Sequence, residues 1–297
     1  MIQNAAYREL VFNPIMDEYL SSDVQQKVEG RLISDLVKVY PDMIQIVIYN
    51  NNYTLPSRSG VSKEHKKMIT DSKRRDSMHR SLRRSKVSVR DIVRSNDWDY
   101  WCTFTFNCGR CFQGCKNKPC ICDKTKCKRY DLEYCRRRMS LWLRRQGNLR
   151  YIIVPELHKD DAMHFHALIS GYNGSLKDLG IRSKSGAKIY QGNYRAGHCQ
   201  FVPINKDYDS VAKYITKQYI TKNMPMFYGK RRYWTSHHLK RPETYVNGLA
   251  AFNLWDLVKN SKPSYSDGVY EIHKIKKDSN IPLSPGVQSS LLEPTSV

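Results

Sequence analysis

The sequence has no apolar run near the roughly 18–20 residues that a membrane helix needs. Its longest run, around Met43 to Tyr49, has the length of a strand. The first residues lack the charged and then apolar pattern of a secretory signal peptide. No phosphate-binding loop of the form Gly-x-x-x-x-Gly-Lys followed by Ser or Thr occurs, which argues against an intrinsic helicase motor. We therefore expect a cytoplasmic protein in a reducing setting, without a membrane partner.

Acidic residues are few, because 28 Asp and Glu stand against 50 Lys and Arg in a chain of 297 residues, giving a formal charge of +22. Such an excess usually neutralises phosphate groups. Ribosomal and packaging proteins can be equally basic, so charge alone identifies no function. Part of the excess lies between residues 58 and 94. There we predict DNA-phosphate contacts by Arg83, Arg84 and Lys86, with a solvated basic helix or linker as the alternative.

The pattern of apolar residues predicts a mixture of α and β elements. A polar turn around His158 to Asp161 separates two of the predicted strands, which should therefore form a β-hairpin. The last residues, about 20 in number and rich in Pro and Ser, are expected to be mostly disordered. We predict strands at 43–49, 100–106, 151–155, 163–170, 188–194 and 198–203, and helices at 24–40, 130–146 and 209–222.

Two histidines, His164 and His166, lie on the second strand of this hairpin. Residues i and i+2 of a strand point to the same face, so both imidazoles project side by side while Phe165 turns toward the core. Glu156, on the preceding strand, should lie across the hairpin from His164. Two imidazoles and one carboxylate suit Mg²⁺, Mn²⁺ or a similar ion with open positions for a phosphate oxygen. The alternative is a pair of histidines that serve only as polar surface.

The predicted helix at 209–222 carries a doublet, Tyr214-Ile-Thr-Lys followed by Tyr219-Ile-Thr-Lys. At about 100° per residue, tyrosines five positions apart point roughly 140° away from each other. Tyr219 falls on the apolar face, and Tyr214 falls on a polar face with Lys217. We therefore predict Tyr214 to be the accessible phenol and Tyr219 to pack. A π-bulge would bring the two tyrosines together, so both assignments stay open.

Seven of the nine cysteines crowd into residues 108–135, interleaved with lysines. In a reducing compartment such a crowd indicates metal binding more than disulfides, and structural Zn²⁺ takes four thiolate or imidazole ligands. The spacing matches no single standard zinc finger, so an iron–sulfur cluster, free thiols and disulfides are the alternatives. The candidate zinc ligands are Cys108, Cys111, Cys115, Cys120, Cys122, Cys127 and Cys135.

The histidine strand, followed about 50 residues later by Tyr-x-x-Lys, resembles the HUH endonucleases. Within that family the closest likeness is to rolling-circle replication initiators of small single-stranded DNA phages and plasmids. Residues 101–106 look like the family's first strand motif, and residues 229–234 with 239–242 look like its later basic strand. The resemblance covers residues 97–242. Two features depart from the family pattern: the cysteine-rich insert, and a tyrosine spacing of five where two-tyrosine members usually have four.

The resemblance implies an α+β fold, in which a central antiparallel sheet of the HUH type is flanked by helices. We expect an endonuclease domain at 96–245 with a cysteine-rich, zinc-binding insert at 107–135. A basic extension at 1–95 would precede it, and a C-terminal extension at 246–297 would follow. The family's later basic segment implies further DNA contacts by Lys222, Lys230, Arg231 and Arg232.

The resemblance also implies metal-dependent nicking and rejoining of one DNA strand at a specific site. In this chemistry a tyrosine attacks the scissile phosphorus, forms a 5′-phosphotyrosine and releases a 3′-OH that primes a host DNA polymerase. Tyr214 would be the nucleophile, with Tyr219 as the second candidate and Lys217 stabilising the charge. Mg²⁺ or Mn²⁺ at His164 and His166 would orient the phosphate. The implied partners are single-stranded DNA at a replication origin, a host helicase and the polymerase, in the cytoplasm of a bacterial host.

Other functions fit the same residues. A plasmid relaxase or a single-strand transposase would use the same chemistry, although mobilisation relaxases usually carry three histidines. A zinc-containing nucleic-acid-binding protein without catalysis is the alternative from a different class. In such a protein the histidine pair would have no catalytic role.

Overall fold

The computed structural model describes residues 32–54, 71–108, 127–158, 160–205, 207–216, 231–266 and 270–277. These residues form two antiparallel sheets with few helices, which confirms the expected mixture of α and β structure. The chain divides into two compact units: one lies within residues 96–239, and the other combines residues up to 95 with residues from 240 onward. No helix in the described ranges is both long enough and apolar enough to cross a membrane.

The described elements follow one another along the chain as strands, with single helices between some of them. In chain order they are β1 (Leu32–Val39), β2 (Met43–Thr54), α1 (Asp71–Ser95), β3 (Tyr100–Thr105), α2 (Leu132–Arg145), β4 (Arg150–Leu157), β5 (Met163–Ser170), β6 (Lys177–Arg182), β7 (Lys188–Gln191), β8 (Cys199–Pro203), α3 (Tyr208–Tyr214), β9 (Trp234–Thr235), β10 (Glu243–Val246), α4 (Gly248–Ala251), α5 (Trp255–Lys259), β11 (Tyr265–Ser266) and β12 (Tyr270–Lys276).

The unit within residues 96–239 is built on a seven-stranded sheet in the order β6-β7-β8-β3-β5-β4-β9. Its central strand, β3, consists of aromatic and Thr residues with one Cys, the composition that favours a strand. This strand pairs antiparallel with β5 on one side and with β8 on the other. β4 and β5 pair along their whole length, which confirms the predicted hairpin.

The two faces of this sheet carry different side chains. Directly paired residues share a face, and the face alternates along each strand. Phe104 pairs with Phe165, so both point to one face, where the indole of Trp142 on α2 lies 5.1 Å from the Phe104 ring. His164 and His166 flank Phe165 in the sequence and therefore point to the opposite face. The apolar core and the candidate site thus occupy opposite faces of one sheet.

Helix α2 covers the apolar face because its sequence begins and alternates as an amphipathic helix should. Asp131 caps its first turn by accepting hydrogen bonds from two backbone N–H groups at 3.0 and 3.1 Å. Cys135, Met139 and Trp142 recur at helical spacing and are buried. Burial of each large apolar side chain contributes about 1.5–3 kcal/mol. The helix ends before Gly147, whose φ of 71° suits glycine.

The second unit is built on a five-stranded sheet in the order β10-β1-β2-β12-β11. Residues 1–95 and 246–297, which we expected to be separate extensions, both supply strands to it. Val37, Ile44 and Ile46 of the sheet pack in one core with Leu249 and Phe252 from the chain around α4. The two ends of the chain therefore complete a single hydrophobic core.

The predicted helix at 24–40 is wrong for the part that the structure describes, because Leu32–Val39 is the strand β1. This strand pairs with β2 on one side and β10 on the other. Side chains on both of its faces are buried, including Leu36, Val37 and Lys38. A strand buried on both faces loses the alternation of apolar and polar residues, so its pattern resembled that of a helix.

A buried ion pair joins β1 to α1 in this second unit. The Lys38 ammonium lies 2.8 Å from a carboxylate oxygen of Asp91, with both side chains buried. Tyr40 donates its hydroxyl to the other oxygen of Asp91 at 2.8 Å, and burial together with the Asp91 charge raises the pKa of that phenol. Loss of one partner would leave the other charge buried and uncompensated.

We therefore expect Asp91→Ala to lower the free energy of unfolding of this unit by about 3–5 kcal/mol, because Lys38 would lose its carboxylate. Denaturant unfolding followed by circular dichroism measures the change. Asp42→Ala, an exposed position between β1 and β2, is the control and should alter stability by less than about 0.5 kcal/mol. Equal effects of the two substitutions would show that Lys38 does not need this partner.

Candidate active site

The register of the hairpin places Glu156 directly opposite His164. His166, one residue pair further along the same face, has both ring nitrogens in contact. Its Nε2 lies 2.8 Å from Oε2 of Glu156, and its Nδ1 lies 3.3 Å from the hydroxyl oxygen of Thr103 on β3. The His166 side chain is buried, so these two contacts fix the orientation of its imidazole.

A third histidine belongs to the same cluster. His158, which we placed in the hairpin turn, stacks on His164 with 4.4 Å between the ring centres. Asp160 contacts Nδ1 of His158 at 3.1 Å, and Arg129 contacts Asp160 at 3.0 Å. Burial, with the neighbouring His158 and His166, lowers the pKa of His164 to about 4. The His164 imidazole is therefore neutral near pH 7, the state in which histidine binds a metal ion.

Glu156, His164 and His166 present two imidazoles and one carboxylate on one sheet face, a donor set that suits Mg²⁺ or Mn²⁺. Within the described ranges, no three His, Cys, Asp or Glu side chains are arranged as a metal centre. The His166 and Glu156 donor atoms lie 2.8 Å apart. Neighbouring ligands of an octahedral ion with bonds near 2.1 Å lie roughly 3 Å apart. The donors therefore fit one divalent cation, which would take the place of their hydrogen bond.

Helix α3 is held at the start of β3 by its first residues. Asp207 caps it by accepting the backbone N–H of Ser210 at 3.1 Å. The Tyr208 hydroxyl accepts the backbone N–H of Trp98 at 3.2 Å, two residues before β3 begins. Ala212, and Ile215 just beyond the helix, are buried. These contacts fix the direction in which the remaining side chains of the helix point.

Tyr214, at the end of α3, reaches the face of the sheet that carries the histidines. Its ring centre lies 5.5 Å from that of Trp101 on β3, and the Trp101 ring lies 5.8 Å from the His166 ring. Half of the Tyr214 surface is exposed, with a relative accessibility of 50%. One indole ring therefore stands between an accessible phenol and the imidazole pair.

The chain continues after Tyr214 as a π-helical turn at Ile215 and Thr216. The Thr216 hydroxyl donates to the carbonyl oxygen of Ala212 at 2.7 Å. The helix irregularity that the sequence left open thus begins directly after the first tyrosine of the doublet. Four predicted site residues lie outside the described ranges, namely Lys217, Tyr219, Lys222 and Lys230.

The remaining basic candidates occupy different environments. Arg231 is exposed, whereas Arg232 is buried, and burial lowers the pKa of its guanidinium. Only Arg231 of these two is therefore open to a phosphate in this arrangement. The other three candidates, Arg83, Arg84 and Lys86, are partly exposed on α1, in the second unit.

Three of the predicted zinc ligands lie in the described ranges, and all three are buried. Cys108 and Cys127 flank residues 109–126, which the structure does not describe. Cys135 is part of α2 and of the apolar core, and its thiol contacts the carbonyl oxygen of Lys128 at 3.6 Å. Burial raises the pKa of the Cys135 thiol. The other four candidates lie outside the described ranges: Cys111, Cys115, Cys120 and Cys122.

Three residues of the site were missing from the sequence-based candidates. Trp101 and Thr103 belong to the strand motif that we recognised, and they point to the histidine face because they pair opposite Leu168 and His166. Alternation along β3 was therefore the signal that identified them. His158 had no comparable signal, because its stacking depends on the shape of the turn.

Two imidazoles, a carboxylate and an accessible phenol on one sheet face are the groups that a phosphoryl-transfer site requires. Residues 99–223, from the start of β3 through the tyrosine doublet, match the family model described as Replication-associated protein ORF2, a family of rolling-circle replication initiators. No curated protein and no solved structure matches the chain.

In the metal-free protein, an NMR titration should place the pKa of His164 near 4. His158→Gln should raise this pKa toward the ordinary value of about 6.5, and Glu156→Gln should lower it further, because a carboxylate favours the charged imidazole. Since the unfolded chain takes up this proton first, His164 makes folding stability fall as the pH drops from about 6.5 to 4. Shifts of the same sign in both variants would contradict the described contacts.

Proposed function

We propose that the protein initiates rolling-circle replication by cutting one DNA strand through Tyr214 and later rejoining it. The family match indicates a rolling-circle replication initiator, and the nicking chemistry is our extension of that match. The observation that supports it is the set of contacts from Tyr214 through Trp101 to His166, on the face that also carries Glu156 and His164.

Glu156, His164 and His166 would hold Mg²⁺ or Mn²⁺. A bound ion of this kind polarises the non-bridging oxygens of the phosphate and orients the phosphate for attack. Thr103 supports the arrangement, because its hydroxyl contacts Nδ1 of His166 and leaves Nε2 on the side of Glu156. A histidine that binds a metal usually makes such a hydrogen bond through its other nitrogen.

The Tyr214 phenol would attack the scissile phosphorus in line. A bond forms between the phenolic oxygen and phosphorus while the bond from phosphorus to the 3′ oxygen breaks. The phenol loses its proton, and the 3′ oxygen leaves as a hydroxyl. A protonated phenol is a weak nucleophile, so we assign Lys217 the role of stabilising the developing negative charge. Attack by a 3′-OH on the phosphotyrosine reverses the step and rejoins a strand.

The substrate would be single-stranded or extruded DNA at a replication origin, because a phenol on a helix cannot approach a paired backbone in line. Basic residues would hold the strand through its phosphates. The released 3′-OH would prime a host DNA polymerase, and a host helicase would unwind the duplex, in the cytoplasm of a bacterial host. The proposed phosphate contacts are Arg83, Arg84, Lys86, Lys222, Lys230, Arg231 and Arg232.

We also propose that the insert at 107–135 binds structural Zn²⁺. Cys108 and Cys127 support this proposal, because both are buried where the chain enters and leaves the cysteine-rich segment. A metal that joins the two ends would close this segment, and structural zinc sites contribute directly to folding. Cys135 already packs in the apolar core, so it is the weakest of the candidate ligands.

Tyr214→Phe should abolish the covalent protein–DNA adduct, at least about 10³-fold, while binding of single-stranded DNA changes less than about twofold, because only the attacking oxygen is lost. The assay incubates a labelled origin oligonucleotide with Mg²⁺ or Mn²⁺, detects the adduct on a denaturing gel and maps the modified peptide.

Tyr219→Phe is the matched control for this experiment. An adduct that persists in Tyr214→Phe and maps to Tyr219 would transfer the nucleophile to the second tyrosine. Wild-type protein that binds the oligonucleotide but leaves it uncut with either metal would instead support the non-catalytic nucleic-acid-binding protein.

Elemental analysis of the purified protein should find at least one zinc per chain. Cys108→Ser and Cys127→Ser should each lower that zinc content, whereas Cys199→Ser, at a buried thiol of β8, should leave it unchanged. Circular dichroism confirms that each variant is folded. Iron with acid-labile sulfide would identify an iron–sulfur cluster instead, and unchanged zinc in both test variants would place the metal elsewhere.

A further inference from the structure

A cleft of about 300 Å³ lies between α2 and the loop that joins β7 to β8. Small-ligand sites have volumes of roughly 300–1,000 Å³, so the cleft is large enough for one nucleotide. It lies beside α2, which covers the apolar face of the sheet, and it includes none of the histidines of the candidate active site. Its polar lining side chains are Arg138, Arg145, Gln146, Asn193, Tyr194 and Arg195.

Charge in the cleft is of one sign. Arg138, Arg145 and Arg195 line it, and its lining contains no Asp or Glu. None of these three guanidinium groups has a carboxylate partner in the part of the chain that the structure describes. Neighbouring Arg136 and Arg137 on the same helix do pair, with Glu133. The cleft thus holds three uncompensated positive charges, an arrangement that favours phosphate.

Hydrogen-bond donors and an apolar surface complete the cleft. Asn193 uses its side-chain oxygen to accept the Trp142 indole N–H at 3.1 Å and the Tyr172 hydroxyl at 2.9 Å, which leaves its amide nitrogen as a donor. The Tyr194 hydroxyl is buried and has no hydrogen-bond partner among the described residues. Leu141, exposed by 40%, lies one helical turn from Arg138 and offers an apolar surface to a base.

The loop that lines the cleft also contacts the strand next to the candidate active site. Thr105, which pairs with His164, donates its backbone N–H to the His198 carbonyl at 2.9 Å. Gly197 lies so close to Thr105 that an added Cβ would sit 2.0 Å from the Thr105 carbonyl oxygen. Only glycine permits this approach. The cleft loop therefore joins the edge of the sheet at the strand position that faces His164.

We propose that this cleft binds one nucleotide of the single-stranded DNA outside the cutting site, with the phosphate on the arginines and the base against Leu141. The occupant is a strand rather than a free nucleotide, because the lining supplies charge for phosphate and few groups that could read a base. This inference goes beyond the nicking reaction and holds whether or not Tyr214 is the nucleophile.

The test compares two triple variants of the full chain that remove equal charge, each made with Tyr214→Phe so that DNA stays uncut. The cleft variant is Arg138→Ala, Arg145→Ala and Arg195→Ala, and the control is Arg136→Ala, Arg137→Ala and Arg144→Ala. Fluorescence anisotropy should show that the cleft variant binds a long oligonucleotide at least about tenfold more weakly. Its salt dependence should fall by about 2 in the slope of log K, since each phosphate contact in single strands contributes about 0.7.

A second measurement locates the strand. Photocrosslinking with 4-thiothymidine should attach the oligonucleotide to peptides that contain Leu141 or Tyr194, and the cleft variant should lose this crosslink while its melting temperature is unchanged. Equal weakening by both triple variants, with no crosslink in the cleft, would overturn the proposal. Deoxythymidine monophosphate that displaces the crosslinked oligonucleotide at micromolar concentration would also overturn it, because the cleft would then be a mononucleotide site.

Discussion

The antiparallel pairing of β3, β5 and β4 is the constraint on which the candidate site depends. Directly paired residues share a face, so the register that seats Glu156 opposite His164 decides which side chains meet there. A slip of one residue would turn both imidazoles inward and bring Phe165 out to water. Phe165 pairs with Phe104 beneath α2, and loss of that burial would cost several kcal/mol, about 1.5–3 for each large side chain. Packing on one face therefore holds the polar groups in place on the other.

The tyrosine depends on tertiary contacts in the same way. Helix α3 has seven residues, and isolated helices of fewer than about 12 residues are marginal in water. Its position therefore comes from the Tyr208 contact with the backbone before β3, from burial of Ala212, and from Trp101. Trp101 has a second function in this arrangement, because its indole separates Tyr214 from His166 and shields the imidazole. A change at Trp101 would consequently alter the tyrosine and the proposed metal ligands together.

The sequence predicted the elements whose periodicity reports on a single buried face. The hairpin with its histidines, strand β3 and helix α2 all appear within a few residues of the expected bounds. It did not predict β1, because burial on both faces removes the alternation that identifies a strand. Nor did it predict that segments from both ends of the chain share one core, since such pairing is set by contacts distant in sequence. The stacking of His158 on His164 was equally hidden, because it follows from the geometry of the turn.

The tyrosine spacing is the feature in which this sequence departs from two-tyrosine initiators. In a regular α-helix, five positions turn the second phenol away from the first. The π-helical turn at Ile215 and Thr216 changes this relation, since π-helical hydrogen bonds join residue i to residue i+5. The spacing from Tyr214 to Tyr219 equals that period. An added residue and a wider turn therefore compensate each other, and a spacing of five does not by itself argue against two tyrosines that act on the same DNA strand. The doublet is for this reason compatible with a second nucleophile, although Tyr214 is the phenol that we assign to the first cut.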